Sequence, residues 1–238
     1  MPDLATMAIL ALAGALQGFL GFGFGIVAMT GLTLSHDLLH AAGVVNIVGL
    51  TATFGQLLGL HEHVRWKLAA RIVPTLLVGV VLGVTALRTF DRQLMVQILG
   101  LSTVVLAAWN LWRPRLSSAE RPAVDRLVGL VSGLLGGAFN IGGPPMIAHL
   151  YRRPDTPDTL RATLQVLFLC IGSSRAVTAT AQGLFDRSMV GDALVSIPLM
   201  AVGLYAGFLV SRRVAAERFR IISWAMLGLL GSVLFLRA

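Results

Sequence analysis

Two glycine-rich segments lie inside long apolar runs of the sequence, and their chemistry is that of exposed backbone amides. The first is Gly18-Phe-Leu-Gly-Phe-Gly-Phe-Gly25, and the second is Gly136-Gly-Ala-Phe-Asn-Ile-Gly-Gly-Pro-Pro145. Glycine and proline are costly inside a helix, so both segments predict helix breaks. A break leaves N–H groups and a positive dipole end facing inward, which suits a small anion. The alternative is that these glycines only permit close helix packing.

Polar, uncharged side chains lie in or near these segments. Asn140 is inside the second segment and Gln17 adjoins the first, so we predict that both amides contact the anion. Asn46, Gln56 and Gln165 also lie in apolar runs, but such amides more often bond a neighbouring helix.

Arg175 lies well inside an apolar run, next to Ser173 and Ser174. An arginine in a membrane span costs about 2.5–3.5 kcal/mol, so it normally faces a cavity or a partner. Its run has no nearby acid, which makes a bound anion a candidate partner; hydrogen bonds to backbone carbonyls are the alternative. The complete predicted substrate site is Gln17, Gly21, Gly23, Gly25, Asn140, Gly142, Gly143, Pro144 and Arg175.

The sequence has no pattern typical of an enzyme or of a metal site. His61-Glu62-His63 lacks the spacing of a zinc-protease helix, and Cys170 is the single cysteine. No phosphate-binding loop or serine-nucleophile elbow occurs. We therefore predict no catalytic residue, no metal and no cofactor.

The composition requires a lipid environment around these residues. Hydrophobic residues make up 56% of the 238-residue chain and charged residues 13%, with a mean hydropathy of +0.81. A soluble domain has roughly a quarter of its residues charged. The net charge is +8, but the basic residues fall mostly between apolar runs, as membrane-flanking anchors do. The lipid bilayer is thus a predicted partner and nucleic acid is not.

The apolar runs predict an all-α integral membrane protein of about eight transmembrane helices, because a span needs roughly 20 residues. Helices one and five contain the predicted breaks. The predicted helices are 4–25 with an apolar extension to 34, then 38–60, 68–87, 94–112, 127–151, 160–184, 192–210 and 219–236.

The two halves of the chain share a glycine pattern. Gly14-x3-Gly18-x2-Gly21 matches Gly129-x3-Gly133-x2-Gly136, and Pro74-x4-Gly79-x3-Gly83 matches Pro198-x4-Gly203-x3-Gly207. We predict two repeats, 1–112 and 127–238, joined by the polar loop 113–126. Four spans per half would give repeats of the same orientation, whereas a re-entrant segment would invert them. Repeats of this kind favour a transporter.

The chain resembles the TauE/SafE family. The resemblance rests on His63-Val-Arg-Trp-Lys-Leu-Ala-Ala-Arg71 leading into Pro74, on Gly133 to Pro145, and on Leu160-Arg-Ala-Thr163. It covers nearly the whole chain and implies a bacterial inner-membrane exporter of small, often sulfur-containing anions. One departure concerns the first segment, where the family often has Gly-Gly followed by Pro. Gly23-Phe-Gly25 stands there instead, so we expect a softer first break.

These observations together predict a secondary transporter for a small anion such as sulfite, an organosulfonate or thiosulfate, working in the direction of export. The alternative is a non-transporting membrane scaffold or accessory subunit. Export is the direction we expect, but the sequence leaves the identity of the anion, the direction of transport, the driving ion, the membrane orientation and the oligomeric state open, a homo-oligomer included.

Overall fold

A computed structural model describes residues 4–33, 35–91, 121–151 and 153–211, together with single residues and short runs within 93–108 and 221–236. The described residues form helices and no strand. The predicted helices 94–112 and 219–236 lie largely outside the described residues. The helices are α1 (Leu4–Leu20), α2 (Phe24–Leu32), α3 (Leu38–Leu60), a 3-10 turn (His61–His63), α4 (Trp66–Thr89), α5 (Pro122–Phe139), α6 (Gly143–Leu150), α7 (Pro157–Ala181) and α8 (Arg187–Ser211).

Several of these helices are long and apolar enough to cross a membrane. Within the described part of the chain, five helical segments meet that condition, and α1 is a shorter apolar helix. The prediction of an all-α, multi-pass membrane protein is therefore confirmed at this level. The five segments are Leu38–His63, Trp66–Thr89, Pro122–Phe139, Pro157–Ala181 and Arg187–Ser211.

The first predicted helix is two antiparallel helices, which we call hairpin 1 (α1 and α2). The chain breaks after Leu20, where Gly21 and Gly23 adopt positive φ angles of 79° and 98°. Such angles favour glycine, so the break is sharp despite the departure from the family pattern. The chain then reverses direction. This is seen from the Thr6 hydroxyl near the start of α1, which lies 2.8 Å from His36 Nε2 beyond the end of α2. The expected single broken span is thus a helix that turns back on itself.

The fifth predicted helix is a second turn of this kind, hairpin 2 (α5 and α6). Asn140 takes a left-handed conformation with a φ of 58° and ends α5. The chain then returns, and His149 Nε2 lies 2.6 Å from Asp125 Oδ1. α5 begins at Pro122, inside the predicted loop 113–126, because proline suits the first helical turn. Residues 113–120 lie outside the described residues.

Glycines allow hairpin 2 to pack closely against α4. A Cβ on Gly133 would overlap the carbonyl oxygen of Leu76, and one on Gly137 would overlap that of Val80. Both contact positions move forward by four residues, from Leu76 to Val80 in α4 and from Gly133 to Gly137 in α5. The two helices therefore run parallel, with their backbones in contact. Small residues permit this approach between membrane helices.

The same arrangement joins hairpin 1 to α8. A Cβ on Gly203 would overlap the carbonyl oxygen of Ala11, and one on Gly207 would overlap that of Ala15. Gly203 and Gly207, a Gly-x3-Gly pair, thus allow close helix packing at this contact. Each hairpin packs along a helix from the other half of the chain.

The contacts at the helix ends fix the course of the chain. We call the end of the bundle that holds Thr6 and His36 end A, and the end that holds His61–His63 end B. Arg65 Nη1 bonds the Asp155 carboxylate at 2.8 and 3.0 Å, so α7 starts at end B. Loops 61–67 and 152–159 therefore lie at the same end of the bundle. Hairpin 1 opens toward end A and hairpin 2 toward end B.

Candidate functional site

The tips of the two hairpins meet around a cavity of about 70 Å³, the central cavity. One water needs roughly 10–15 Å³ of such space, whereas drug-sized ligands need several hundred. The central cavity therefore has room for one small ion. Its wall includes Gln17, Phe22, Gly23, Phe24, Gly25, Asn46, Thr53, Asn140, Ile141, Gly142, Gly143 and Phe168.

Two helix N-termini form part of this wall. α2 begins at Phe24 and α6 at Gly143, each directly after a hairpin turn. The first backbone N–H groups of a helix have no acceptor within it and carry the positive end of its dipole. Neither first turn contains an Asp or Glu, and among the described residues the cavity wall holds no charged side chain. An anion can therefore lie beside these N-termini without meeting a carboxylate of the described residues.

Two asparagines form the polar side of the wall near hairpin 2. Asn46 Nδ2 donates to Asn140 Oδ1 at 3.3 Å and to the Gly172 carbonyl at 3.2 Å. Asn140 Nδ2 donates to the Ala42 carbonyl at 2.8 Å. Among the described atoms, the buried Asn46 Oδ1 has no hydrogen-bond partner. A buried acceptor without a partner is costly, so a ligand that donates one proton would satisfy it.

Three glutamines lie together near hairpin 1, and we call them the amide cluster (Gln17, Gln56 and Gln165). Of the three, Gln17 lines the central cavity. Gln17 Nε2 donates to Gln56 Oε1 at 3.1 Å and to Gln165 Oε1 at 3.4 Å. Gln17 Oε1 accepts the Phe24 N–H at 3.2 Å, and Gln165 Nε2 donates to the Gly21 carbonyl at 2.7 Å. The cluster therefore holds the turn of hairpin 1 to α3 and α7.

Arg175 is 3% exposed and lies behind the central cavity, outside its wall. Its Nε donates to the Gly137 carbonyl at 2.9 Å and its Nη1 to the Ala42 carbonyl at 3.1 Å. Asn140 donates to the same Ala42 carbonyl. The Arg175 guanidinium and the Asn140 side chain of the cavity wall therefore donate to the same acceptor.

Six of the nine predicted site residues line the central cavity: Gln17, Gly23, Gly25, Asn140, Gly142 and Gly143. Gly21 lies at the turn of hairpin 1 and faces a different cavity. Pro144 is buried in the first turn of α6. Gly21, Pro144 and Arg175 thus support the wall from behind or shape its turns.

The expectation that Asn46 bonds a neighbouring helix agrees with its bond to the Gly172 carbonyl of α7. The structure also places Asn46 in the cavity wall, with Thr53 and Phe168, which the sequence did not single out. A signal was present in the spacing. Asn46 and Gln56 are the ninth and nineteenth residues of α3, and Gln165 and Arg175 hold the same places in α7. Polar residues at equivalent positions of α3 and α7 indicate that the two helices face the same polar region inside the bundle.

The whole chain was compared with known proteins. Residues 6–234 match the family described as sulfite exporter TauE/SafE. A relative from Cupriavidus necator, named "Probable sulfite/organosulfonate exporter TauE", is 29% identical over 87% of this chain and 83% of its own length. Another from Comamonas testosteroni, named "Probable inner membrane transporter protein TsaS", is 27% identical over 67% of each chain. No solved structure matches. The chain therefore belongs to the sulfite exporter TauE/SafE family, a family of membrane transporters.

Proposed function

We propose that this protein is a secondary transporter that moves a small sulfur-containing anion, such as sulfite, an organosulfonate or thiosulfate, out of the cell. The observation that supports this most strongly is the convergence of two helix N-termini on one small, uncharged cavity. Oriented amides stabilise an anion without a paired cation, and they release it more readily than a salt bridge would. Easy release is what a transport site requires.

In the proposed bound state, the N–H groups of Gly25 and Ile26 in α2 and those of Gly142 and Gly143 at the start of α6 point at the oxyanion. Pro144 and Pro145 have no N–H to offer, and the Phe24 N–H already bonds Gln17. A side chain at Gly143 would extend toward Phe168 of the cavity wall, whereas a Cβ at Gly25 or Gly142 would overlap a backbone oxygen. These glycines therefore keep the backbone of both tips close to the cavity. The side chains of Asn140 and Gln17 form part of the cavity wall beside the anion. Arg175 acts through its charge, and Gly21 and Pro144 fix the turns.

The opposed hairpins suggest how access alternates. α1 packs on α8 and α5 packs on α4, so each hairpin moves with a helix of the other half. We infer that the repeats, the second of which begins with α5, are inverted about an axis in the membrane plane. Rocking of one half against the other would expose the cavity at end A and at end B in turn. Expelling an anion from a negative interior is favourable by about 2.3 kcal/mol per charge per 100 mV.

The test is anion flux in proteoliposomes, with sulfite, ethanesulfonate, thiosulfate, sulfate and chloride as candidate substrates. Gly143→Leu is the critical variant, because a Cβ at Gly143 meets only side-chain atoms, the nearest at 3.4 Å. The added side chain would fill the cavity without a backbone clash. Gly191→Leu is the matched control, since a Cβ there meets nothing within 4 Å and Gly191 lies outside the cavity wall.

Selective flux that Gly143→Leu abolishes and Gly191→Leu retains would support the proposed site. Flux should also rise with an inside-negative potential. If folded wild-type protein moves none of these anions, the proposed function is wrong and a scaffold role becomes the better explanation.

A further inference from the structure

A second and larger cavity, which we call the chamber, lies at end B beneath the turn of hairpin 1. Its volume is about 310 Å³. The end of α3, the first turns of α7 and the last turns of α8 line it, and it is open on the side of Tyr205 and Phe208, which are 63% and 40% exposed. Its wall consists of Gly18, Gly21, Gly55, Gln56, Gly59, Leu60, Asp158, Arg161, Gln165, Ala201, Leu204, Tyr205 and Phe208.

The amide cluster separates the chamber from the central cavity. Gln17 belongs to the wall of the central cavity, whereas Gln56 and Gln165 belong to the wall of the chamber. Gln17 donates to both of them. The barrier at this place therefore consists of hydrogen-bonded side chains, which can part by rotating about single bonds without unfolding a helix.

The chamber has a cation at its inner end. Arg161 is partly buried and donates from Nη2 to the Phe19 carbonyl at 3.2 Å, beside the turn of hairpin 1. The carboxylate of the chamber wall, Asp158, is exposed in the first turn of α7, at the outer end. Solvent screens an exposed charge more than a partly buried one. Arg161 thus places a partly buried positive charge at the inner end of the chamber.

The two volumes suit two states of hydration. The central cavity holds roughly the space of a few waters, whereas the chamber has room for an anion with many of its waters. A transported anion must exchange its waters for protein donors before it enters the smaller space. The amides that separate the two spaces are groups able to bond an oxyanion during that exchange.

We propose that the chamber is an outer binding site for a hydrated oxyanion, with Arg161 as its cation and the amide cluster as the barrier to the central cavity. This inference rests on the proposed function, because it supplies the central site with its access route from end B. The anion binds beside Arg161, the amides part, and the anion moves to the N-termini of α2 and α6.

Cysteine protection tests the outer site. In a Cys170→Ala background, which removes the single native cysteine, Gly55→Cys and Gly59→Cys place thiols in the chamber wall. A Cβ at either glycine meets nothing within 4 Å. Gly191→Cys is equally open but lies outside the chamber. Labelling by an anionic methanethiosulfonate is followed in nanodiscs, where both ends are accessible. Ethanesulfonate and sulfate are the protecting anions, because sulfite itself cleaves disulfides.

We expect labelling at positions 55 and 59 to slow about ten-fold at ten times the half-protecting concentration, with no change at 191. Arg161→Gln should raise the half-protecting concentration about ten-fold or more, and Arg161→Lys should raise it less. The outer site is refuted if neither anion slows labelling at 55 or 59 while wild-type vesicles transport that anion. Protection at 55 without any flux would support anion binding in the chamber and contradict the proposed function.

The barrier has a separate test. Thr53 lies in the wall of the central cavity and is 5% exposed, so Thr53→Cys reports access to that space. Gln56→Ala removes the side chain that accepts from Gln17, and it should accelerate labelling of Thr53→Cys several-fold. Unchanged labelling at 53, with labelling at 59 intact, would show that the amides are not the barrier.

Discussion

The carbonyl oxygen of Asn140 lies directly against the Cα of Gly25, so closely that a Cβ at position 25 would overlap it. Gly25 is in the first turn of α2 and Asn140 ends α5, so this contact joins the tips of the two hairpins. The hairpins enter the bundle from opposite ends and meet here. The central cavity exists because two backbones come together without a side chain between them.

Gly25→Ala should therefore lower both stability and flux. Gly25 has no positive φ angle, so the effect is one of space and not of backbone strain. Overpacking of this kind costs about 1–3 kcal/mol, and separating the two tips would enlarge the cavity. Thermal unfolding and proteoliposome flux measure the two effects. Gly191→Ala is the control, because a Cβ there meets nothing within 4 Å and Gly191 lies outside both cavity walls; equal behaviour of both variants would contradict the contact.

Asn46→Asp should weaken anion binding more than it weakens the fold. The substitution keeps the shape of the side chain, but a carboxylate cannot donate to Asn140 and Gly172, and its charge repels an anion. The lost hydrogen bonds should cost the fold about 1–3 kcal/mol. Repulsion between the new carboxylate and the anion should raise the KM for transport roughly ten-fold or more.

Asn46→Ala separates charge from hydrogen bonding in the same experiment. It removes the donors without adding a negative charge, so its KM should lie between those of wild type and Asn46→Asp. A KM for Asn46→Asp within two-fold of wild type, in folded protein, would place the anion elsewhere.

The positions of the helix breaks could be predicted from the sequence, but the direction of the chain after them could not. The cost of glycine and proline in a helix is local, and it marks 21–23 and 140–142 correctly. Whether the chain continues or turns back depends on distant contacts. Thr6 with His36, and Asp125 with His149, decide it.

The role of a buried polar residue is equally non-local. The sequence indicated that Arg175 needs a partner, but the carbonyls of Gly137 and Ala42 become available only when α3, α5 and α7 pack together. Asp125 was assigned to a connecting loop for the same reason. Its burial depends on the start of α5 and on the return of α6, and neither is encoded in the local composition.

Arg175→Gln and Arg175→Lys together distinguish a structural role from an electrostatic one. Both variants lose the fork that reaches two carbonyls, so both should lower the Tm. Lysine keeps the positive charge behind Asn140, whereas glutamine does not. If the charge helps to hold the anion, the KM for transport should rise in the glutamine variant and be largely restored with lysine. Equal KM values in both variants and in wild type would show that Arg175 has a structural role only.

Asp125→Asn should destabilise hairpin 2 by a large amount. Asp125 is fully buried, and its carboxylate lies 2.6 Å from His149 Nε2, 2.6 Å from Arg153 Nη2 and 3.8 Å from Arg71 Nη1. Asparagine removes the negative charge that offsets these basic groups in a buried place. Removing one partner of a buried ion pair costs about 3 kcal/mol, or roughly 6–12 °C in Tm for a chain of this size.

Asp155→Asn is the control at the same end of the bundle, because its pair with Arg65 is partly exposed and should be worth about 1 kcal/mol or less. Thermal unfolding of the purified variants measures both, and equal losses for the two would contradict the buried cluster as the link that closes hairpin 2.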